Sequence, residues 1–226
     1  ETARVRIRAA DCYGNPQNVG GDLFAVTLTR TPQTVLGSFV DNGDGSYDLT
    51  YNLTTRGQWL LHVKTGGVHI AGSPFTVSAL PGATDPASSF ATGPGLSKAF
   101  TGEDSMFIVR TRDAHGNDKA SGGDAVTATL MQAGTAEVVH ANVTDTGEGS
   151  YSVRYKLVVT DGKDYTLSVN INNGTLGTYA VKALAGSLSC AETLSTDQRH
   201  CVVGTISEAP IYAKDIFGNQ RDSGGD

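Results

Sequence analysis

The sequence has none of the marks of a helical enzyme, a membrane anchor or a nucleic-acid binder. Proline is scarce, at 7 residues, and runs of Leu, Glu, Lys and Ala are absent, while Thr, Val and Gly are common. That balance disfavours helices and favours strands and turns. Basic residues are outnumbered, 17 against 23 acidic, giving a net charge of −6 and a pI near 5.3. Binding driven by nucleic-acid phosphates is therefore excluded as a main activity. No apolar run approaches the roughly 18–20 residues that span a bilayer, so this segment holds no spanning helix. No signal-peptide pattern stands at Glu1, an absence that says little because the chain reads as starting inside a domain. Hydrophobic residues make up 38%, enough for the thin core of a two-sheet sandwich rather than a large enzyme core.

The motifs of catalysis are missing too. There is no Gly-x-Ser-x-Gly elbow. No glycine-rich phosphate cradle leads into a helix. His62, His69, His115, His140 and His200 show no metal-ligand spacing. No catalytic residue, metal site or cofactor is assigned.

What the sequence does contain is a ruler. Asp11-Cys-Tyr-Gly-Asn15 leads to Gly20-Gly-Asp22, Asp113-Ala-His-Gly-Asn117 to Gly122-Gly-Asp124, and Asp215-Ile-Phe-Gly-Asn219 to Gly224-Gly-Asp226. The interval is constant (117 − 15 and 219 − 117 both equal 102). A period of about 100 residues is too long for a solenoid unit and fits a small β-sandwich. The expected organisation is one repeat over 1–80 lacking its first strand, a complete repeat over 86–184, and the N-terminal part of a third over 187–226. Two strands cannot close a core, so the chain reads as an excerpt of a longer array. The linkers 80–85 and 184–186 are short and restrict motion more than a long Gly/Ser linker would.

Strand periodicity recurs in each copy. Val5 and Ile7 alternate with Arg4, Arg6 and Arg8, a basic stripe read as a solvated face. Strands are predicted over 23–29, 34–40, 46–51 and 57–63, with Tyr47, Leu49 and Tyr51 on one face and His62 facing solvent. The run from Asp41 to Gly45 is a tight turn, and Asp145 to Gly149 is its counterpart. Trp59 and Tyr165 occupy matching strands and are read as core or sheet-face aromatics. Asp11, Asn15 and Asp22 could offer oxygens to calcium, but such a site wants about 6–8 of them, and a local backbone role fits better.

Taken in order, Ala91-Thr-Gly-Pro-Gly-Leu96, Asp113 to Asn117, Gly122 to Asp124 and Asp145-Thr-Gly-Glu-Gly-Ser-Tyr151 resemble the filamin-type immunoglobulin repeat. Asp41 to Tyr47 and Gly72-Ser-Pro-Phe75 look like the same family. The resemblance covers essentially the whole chain and implies an all-β fold: tandem immunoglobulin-like antiparallel β-sandwiches with strands A to G. In filamins and the related gelation factor, such repeats are rods between an actin-binding head and a dimerisation end. Actin would be reached only through parts outside this segment. Partner peptides add a strand beside strand C, packing over strand D. The groove this implies is lined by Val126, Ala128 and Leu130 of strand C and Val138 and His140 of strand D. Filamin-type repeats also occur in cell-surface proteins, including gamete adhesion proteins. The second repeat has Gly177-Thr-Tyr179 in place of Gly-Ser-Pro-Phe, and the third has Cys190 and Cys201 where Gly-Pro-Gly-Leu would fall.

Two settings stay open. Cys190 and Cys201 can pair locally while Cys12 has no mate; three free thiols is the equal alternative. Asn52, Asn142 and Asn173 head N-glycosylation sequons. These features favour a non-enzymatic structural or adhesion array, part of a larger cell-surface or extracellular glycoprotein. Its expected partners are other proteins and neighbouring repeats. The alternative is a cytoplasmic cytoskeletal scaffold binding peptides at strands C and D. A glycan on Asn142 would crowd that groove, so the two readings conflict at one residue.

Overall fold

This computed structural model describes residues 2–132, 134–159, 164–189, 194–195 (backbone only) and 211–221. The chain forms two compact units, 1–82 and 83–226. Each contains a sandwich of two sheets, almost wholly antiparallel.

The first unit runs β1 (Thr2–Arg8), β2 (Phe24–Arg30), β3 (Gln33–Leu36), β4 (Ser38–Asp41), β5 (Ser46–Asn52), β6 (Gly57–Thr65), β7 (Val68–His69) and β8 (Phe75–Ala79). One sheet has the order β1-β5-β4; the other runs β3-β2-β6-β7, with β8 also paired to β6. Alternation sets the faces, because successive strand side chains point opposite ways. Val26 and Leu28, then Tyr47, Leu49 and Tyr51, then Trp59, Leu61 and Val63 all turn inward and are buried. Each fully buried aliphatic side chain contributes about 1.5–3 kcal/mol of transfer free energy. Arg4, Arg6 and Arg8 face water, and Arg6 Nε meets Asp48 Oδ1 at 2.8 Å.

The segment predicted as a single strand over 34–40 is two. Residues 33–36 pair with β2 and residues 38–41 pair with β5, in the opposite sheet. Gly37 is the crossing point, held by its N–H to Val26 O at 3.0 Å. A Cβ there would lie 2.6 Å from Val26 Cγ1, so the chain passes too close for any side chain. His62 is likewise half-buried rather than fully wet, with Nε2 2.9 Å from Thr29 Oγ1 across the β2–β6 pair.

The second unit runs β9 (Phe90–Thr92), a 3-10 turn (Pro94–Leu96), β10 (Lys98–Phe100), β11 (Asp104–Arg110), β12 (Val126–Gln132), β13 (Val138–His140), β14 (Asn142–Gly147), β15 (Ser150–Lys156), β16 (Tyr165–Ile171) and β17 (Gly174–Leu184). Its sheets have the orders β14-β15-β11-β9 and β10-β17-β16-β12-β13. The first strand also changes sheets, at the Gly-Pro-Gly-Leu run. β9 pairs antiparallel with β11, and β10 pairs parallel with β17. Gly95 crosses over Met106 so closely that a Cβ would stand 2.7 Å from its carbonyl oxygen. Tyr155 donates its hydroxyl to Gly95 O, and burial pushes that phenol up to about 12. The core gathers Phe107, Val109, Leu130, Val153, Leu167, Val169 and Ile171. A short pair, β18 (Leu194–Ser195) with β19 (Ile211–Tyr212), belongs to the third copy.

Candidate interaction surfaces

The repeated Asp-x-x-Gly-Asn stretch is the same closed turn wherever it occurs. In the first copy Asp11 Oδ1 accepts from the N–H groups of Tyr13 and Asn15, both at 2.9 Å, and Asp11 Oδ2 accepts from Asn15 Nδ2 at 2.9 Å. Asp113 Oδ1 takes His115 N and Asn117 N at 2.9 Å, and Asp215 Oδ1 takes Phe217 N and Asn219 N at 2.9 Å. The glycine of each turn has positive φ: 86° at Gly14, 79° at Gly116 and 80° at Gly218. Asp and Gly are thus demanded by the backbone, as the local reading expected.

The Gly-Gly-Asp triplets of the first two repeats have a second partner. Gly21 N donates to Asp41 Oδ2 at 2.7 Å, and Gly123 N to Asp145 Oδ2 at 2.9 Å. Asp22 N donates to the Tyr47 hydroxyl at 3.0 Å, and Asp124 N to the Tyr151 hydroxyl at 2.8 Å. A Cβ on Gly20 or Gly122 would overlap the carboxylate of Asp41 or Asp145, at 2.2 and 2.0 Å. The triplet and the Asp…Gly-Ser-Tyr run therefore recur together because each repeat ties them into one cross-link.

The third copy of the turn does more. Asp215 is fully buried against the end of the second repeat. Its Oδ2 accepts from Thr101 Oγ1 and from Gly186 N, the latter at 3.2 Å. Gly186 N also donates to Thr101 Oγ1 at 3.0 Å, and Asn219 Nδ2 to Val158 O at 3.1 Å. Thr101 is only 2% exposed. Phe217 lies over Gly102, where a Cβ would come within 2.7 Å of the ring. Burial alone would raise the Asp215 carboxyl. The hydrogen bonds from Thr101, Asn219 and Gly186 outweigh it and hold the group at about 2. Sequence reasoning missed this joint. A local signal is glycine at 102 and 186, where a Cβ would stand 2.7 Å from the Phe217 ring and 2.0 Å from Thr101 O.

The groove implied by the filamin resemblance needs correction. Val126, Ala128 and Leu130 point into the core and are buried, so they line no open surface. The strand's outward residues are Thr127, Thr129 and Met131, the even step of the same period. The outer edge of β12 is also occupied by its own chain. β13 pairs along Thr129 to Met131, and Ala141 N reaches Ala128 O at 3.0 Å. The edge strand of that sheet is β13, where Val138 and His140 are exposed. Only these two of the five residues remain at a surface.

Asn52, Asn142 and Asn173 are all exposed. Asn173 sits at the tip of the β16–β17 hairpin, where Asn172 and Asn173 both have positive φ, 48° and 67°. Asn142 opens β14, two residues past the β13 edge. Cys12 is exposed and free. Cys190 and Cys201 lie outside the described residues. Trp59 and Tyr165 are both buried, and each spends its polar atom on a nearby backbone carbonyl, Trp59 Nε1 on Thr55 O and the Tyr165 hydroxyl on Val159 O. Among the described residues no cluster of three or more His, Cys, Asp or Glu could hold a metal ion, and no helix is long and apolar enough to cross a membrane.

Comparison with known proteins agrees with this geometry. The family model of the Filamin/ABP280 repeat matches residues 1–76 and 83–179. Filamin-C of Mus musculus is 28% identical over 141 residues, 62% of this chain and 4% of that protein. Filamin-A of Drosophila melanogaster is 32% identical over 136 residues, 60% of this chain and 6% of that protein. The chain thus spans only 4–6% of the length of these relatives. Among solved structures, the Escherichia coli adhesin FdeC matches with a TM-score of 0.68 and 24% identity, over 96% of this chain and 69% of that one. Yersinia pseudotuberculosis InvD matches with a TM-score of 0.50 and 18% identity, over 97% of this chain and 67% of that one. Those two likenesses are of fold. With two matched segments that together cover most of its residues, and with the motif set built into each sandwich, the chain belongs to the filamin repeat family.

Proposed function

We propose that the chain is a non-enzymatic stretch of a tandem filamin-repeat array at a cell surface or outside the cell, where it spaces or joins other proteins. The observation that carries the structural part is the buried joint in the second unit. A repeat whose end seals the next repeat's turn around Asp215 is built to be one of a series. FdeC, an adhesin, shares the fold over nearly the whole chain, so the architecture suits such a role. The surface setting is supported by the exposure of all three sequon asparagines, including Asn173 on a projecting hairpin tip.

Intact mass of native protein, with and without deglycosylation and reduction, tests the setting. The expected outcome is a mass loss on deglycosylation and a gain of two hydrogen atoms on reduction by an added thiol or phosphine, from a Cys190–Cys201 bridge. Bare Asn52, Asn142 and Asn173 together with reduced cysteines would overturn it.

A second reading, a cytoplasmic scaffold that takes peptides by strand addition, has one observation in its favour. The β13 edge is exposed, with Val138 40% exposed and His140 beside it. A glycan on Asn142 would cover that edge, so the same mass measurement decides between the two.

A further inference from the structure

Two histidines stand together on the outer face of the first unit. His62 lies on β6 between the buried Leu61 and Val63, so its ring turns away from the core. His69 ends β7, opposite Lys64 in the register and diagonal to His62. They are seven residues apart in sequence (69 − 62 = 7), and the hairpin between β6 and β7 brings their ring centroids to 5.5 Å, with the planes tilted by 56°. Each ring is held by a hydroxyl on one nitrogen. His62 Nε2 is 2.9 Å from Thr29 Oγ1, and His69 Nδ1 is 2.8 Å from Ser73 Oγ. Ser73 is itself fixed, because its Oγ accepts from Val63 N at 2.9 Å. A ring that gives its N–H to a hydroxyl oxygen keeps a lone pair on the other nitrogen, Nδ1 of His62 and Nε2 of His69. The fold does not require the pair. In the second unit the register-equivalent positions (62 + 106 = 168 and 69 + 106 = 175) are Ser168 and Thr175, in the matching β16–β17 hairpin.

We propose that His62 and His69 form a chelating site for a divalent late transition-metal ion, with copper(II) the preferred occupant and water completing its shell. Imidazole nitrogen suits copper, nickel and zinc, and affinity for a given site rises to copper(II) along the first-row series. A pair of nitrogen donors does not suit calcium or magnesium, which take oxygen ligands. Two rings on one ion, at about 2.0–2.1 Å from metal to nitrogen, have centroids roughly 4.5–5.5 Å apart for angles between about 90° and 120°. The observed 5.5 Å lies at the edge of that range, so the pair needs little rearrangement to close on an ion. Thr29 and Ser73 are the outer hydroxyls that fix the orientation and tautomer of each ring. Lys64 shares the face and opposes a cation there.

The test uses the complete chain with its thiols alkylated, so that copper(II) is not reduced. Substoichiometric copper(II) is expected to broaden the ring signals of His62 and His69 in NMR spectra before those of His115 and His140. Pulsed electron paramagnetic resonance is expected to show two imidazoles coupled to one copper. His62→Gln and His69→Gln are each expected to weaken binding on the order of 100-fold, because one ring alone loses the chelate, and to leave a one-imidazole spectrum. Thr29→Val is expected to weaken it on the order of tenfold by releasing the His62 ring. Lys64→Gln is expected to strengthen it roughly threefold by removing a like charge. Trp59 emission in urea reports whether the first unit stays folded in each variant, since Trp59 is buried in its core. Equal broadening at all four rings, a one-imidazole spectrum of the unaltered chain, or unchanged affinity in either glutamine variant overturns the proposal. The spectrum of the unaltered chain decides even where a variant fails to fold.

Discussion

Tyr151 shows how much of each repeat hangs on a single polar atom. Its ring is in the core, and its hydroxyl emerges beside the Gly-Gly-Asp triplet. The hydroxyl accepts from Asp124 N at 2.8 Å and donates to Asp124 Oδ2 at 3.3 Å. Asp124 is further held by Thr84 and Asn172. Burial presses its carboxyl upward, but the bonds from Asn172, Thr84 and Tyr151 leave it below the usual carboxylate range. Tyr151→Phe keeps the ring and removes both bonds. It is expected to cost about 1–2 kcal/mol, read as a lower urea midpoint with an unchanged slope. A larger loss would mean that the ring had moved. This cross-link was half legible in the sequence. The co-occurrence of Gly-Gly-Asp with a later Asp…Tyr was visible, but their contact across the loops was not.

At the scale of the element, the decisive feature is a strand that changes partner sheet partway. Gly37 marks the point in the first repeat, and Ala141 in the second. Both donate to the partner of the strand they leave, Gly37 N to Val26 O in β2 and Ala141 N to Ala128 O in β12, each at 3.0 Å. Gly37→Ala would drive a methyl into Val26 and is expected to destabilise the first unit by about 1–3 kcal/mol. Urea denaturation followed through Trp59 fluorescence reads that unit, since Trp59 is buried in its core. The same switch explains the corrected groove. A strand with partners on both sides has no edge to offer, and its buried face cannot also be its binding face. Period-two alternation identified the two faces of β12, but which one faced the core required the opposing sheet.

At the scale of the molecule, the joint around Asp215 couples one repeat to the next. Its pH dependence follows from the sign of the shift. The carboxyl titrates at about 2 when folded and near 3.9 when unfolded, so the unfolded state binds the proton more readily. The stabilisation is complete above about pH 4 and is lost as pH falls through about 2. The amide signals of Gly186 and Phe217 are expected to shift through that window, ahead of the core signals of Leu167 and Val169. Unchanged amides down to pH 2 with the core intact would remove Asp215 from that role.

What the sequence determined by itself was whatever depends on local or periodic chemistry. The 102-residue ruler, the turn glycines and the inward Tyr47, Leu49 and Tyr51 follow from spacing and alternation, and the ordered motifs carry the resemblance to the filamin repeat that the family match bears out. Those signals survive in one dimension because a turn or a strand face is set by its own few residues. Only the tertiary structure decided that Thr101 and Gly186 close over Asp215, where a strand changes sheets, and which side of β12 is closed. Each of these depends on atoms far apart in the chain. Asp215 and Thr101 meet across 114 residues, and nothing in either local stretch foretells that a hydroxyl and a carboxylate will be buried together.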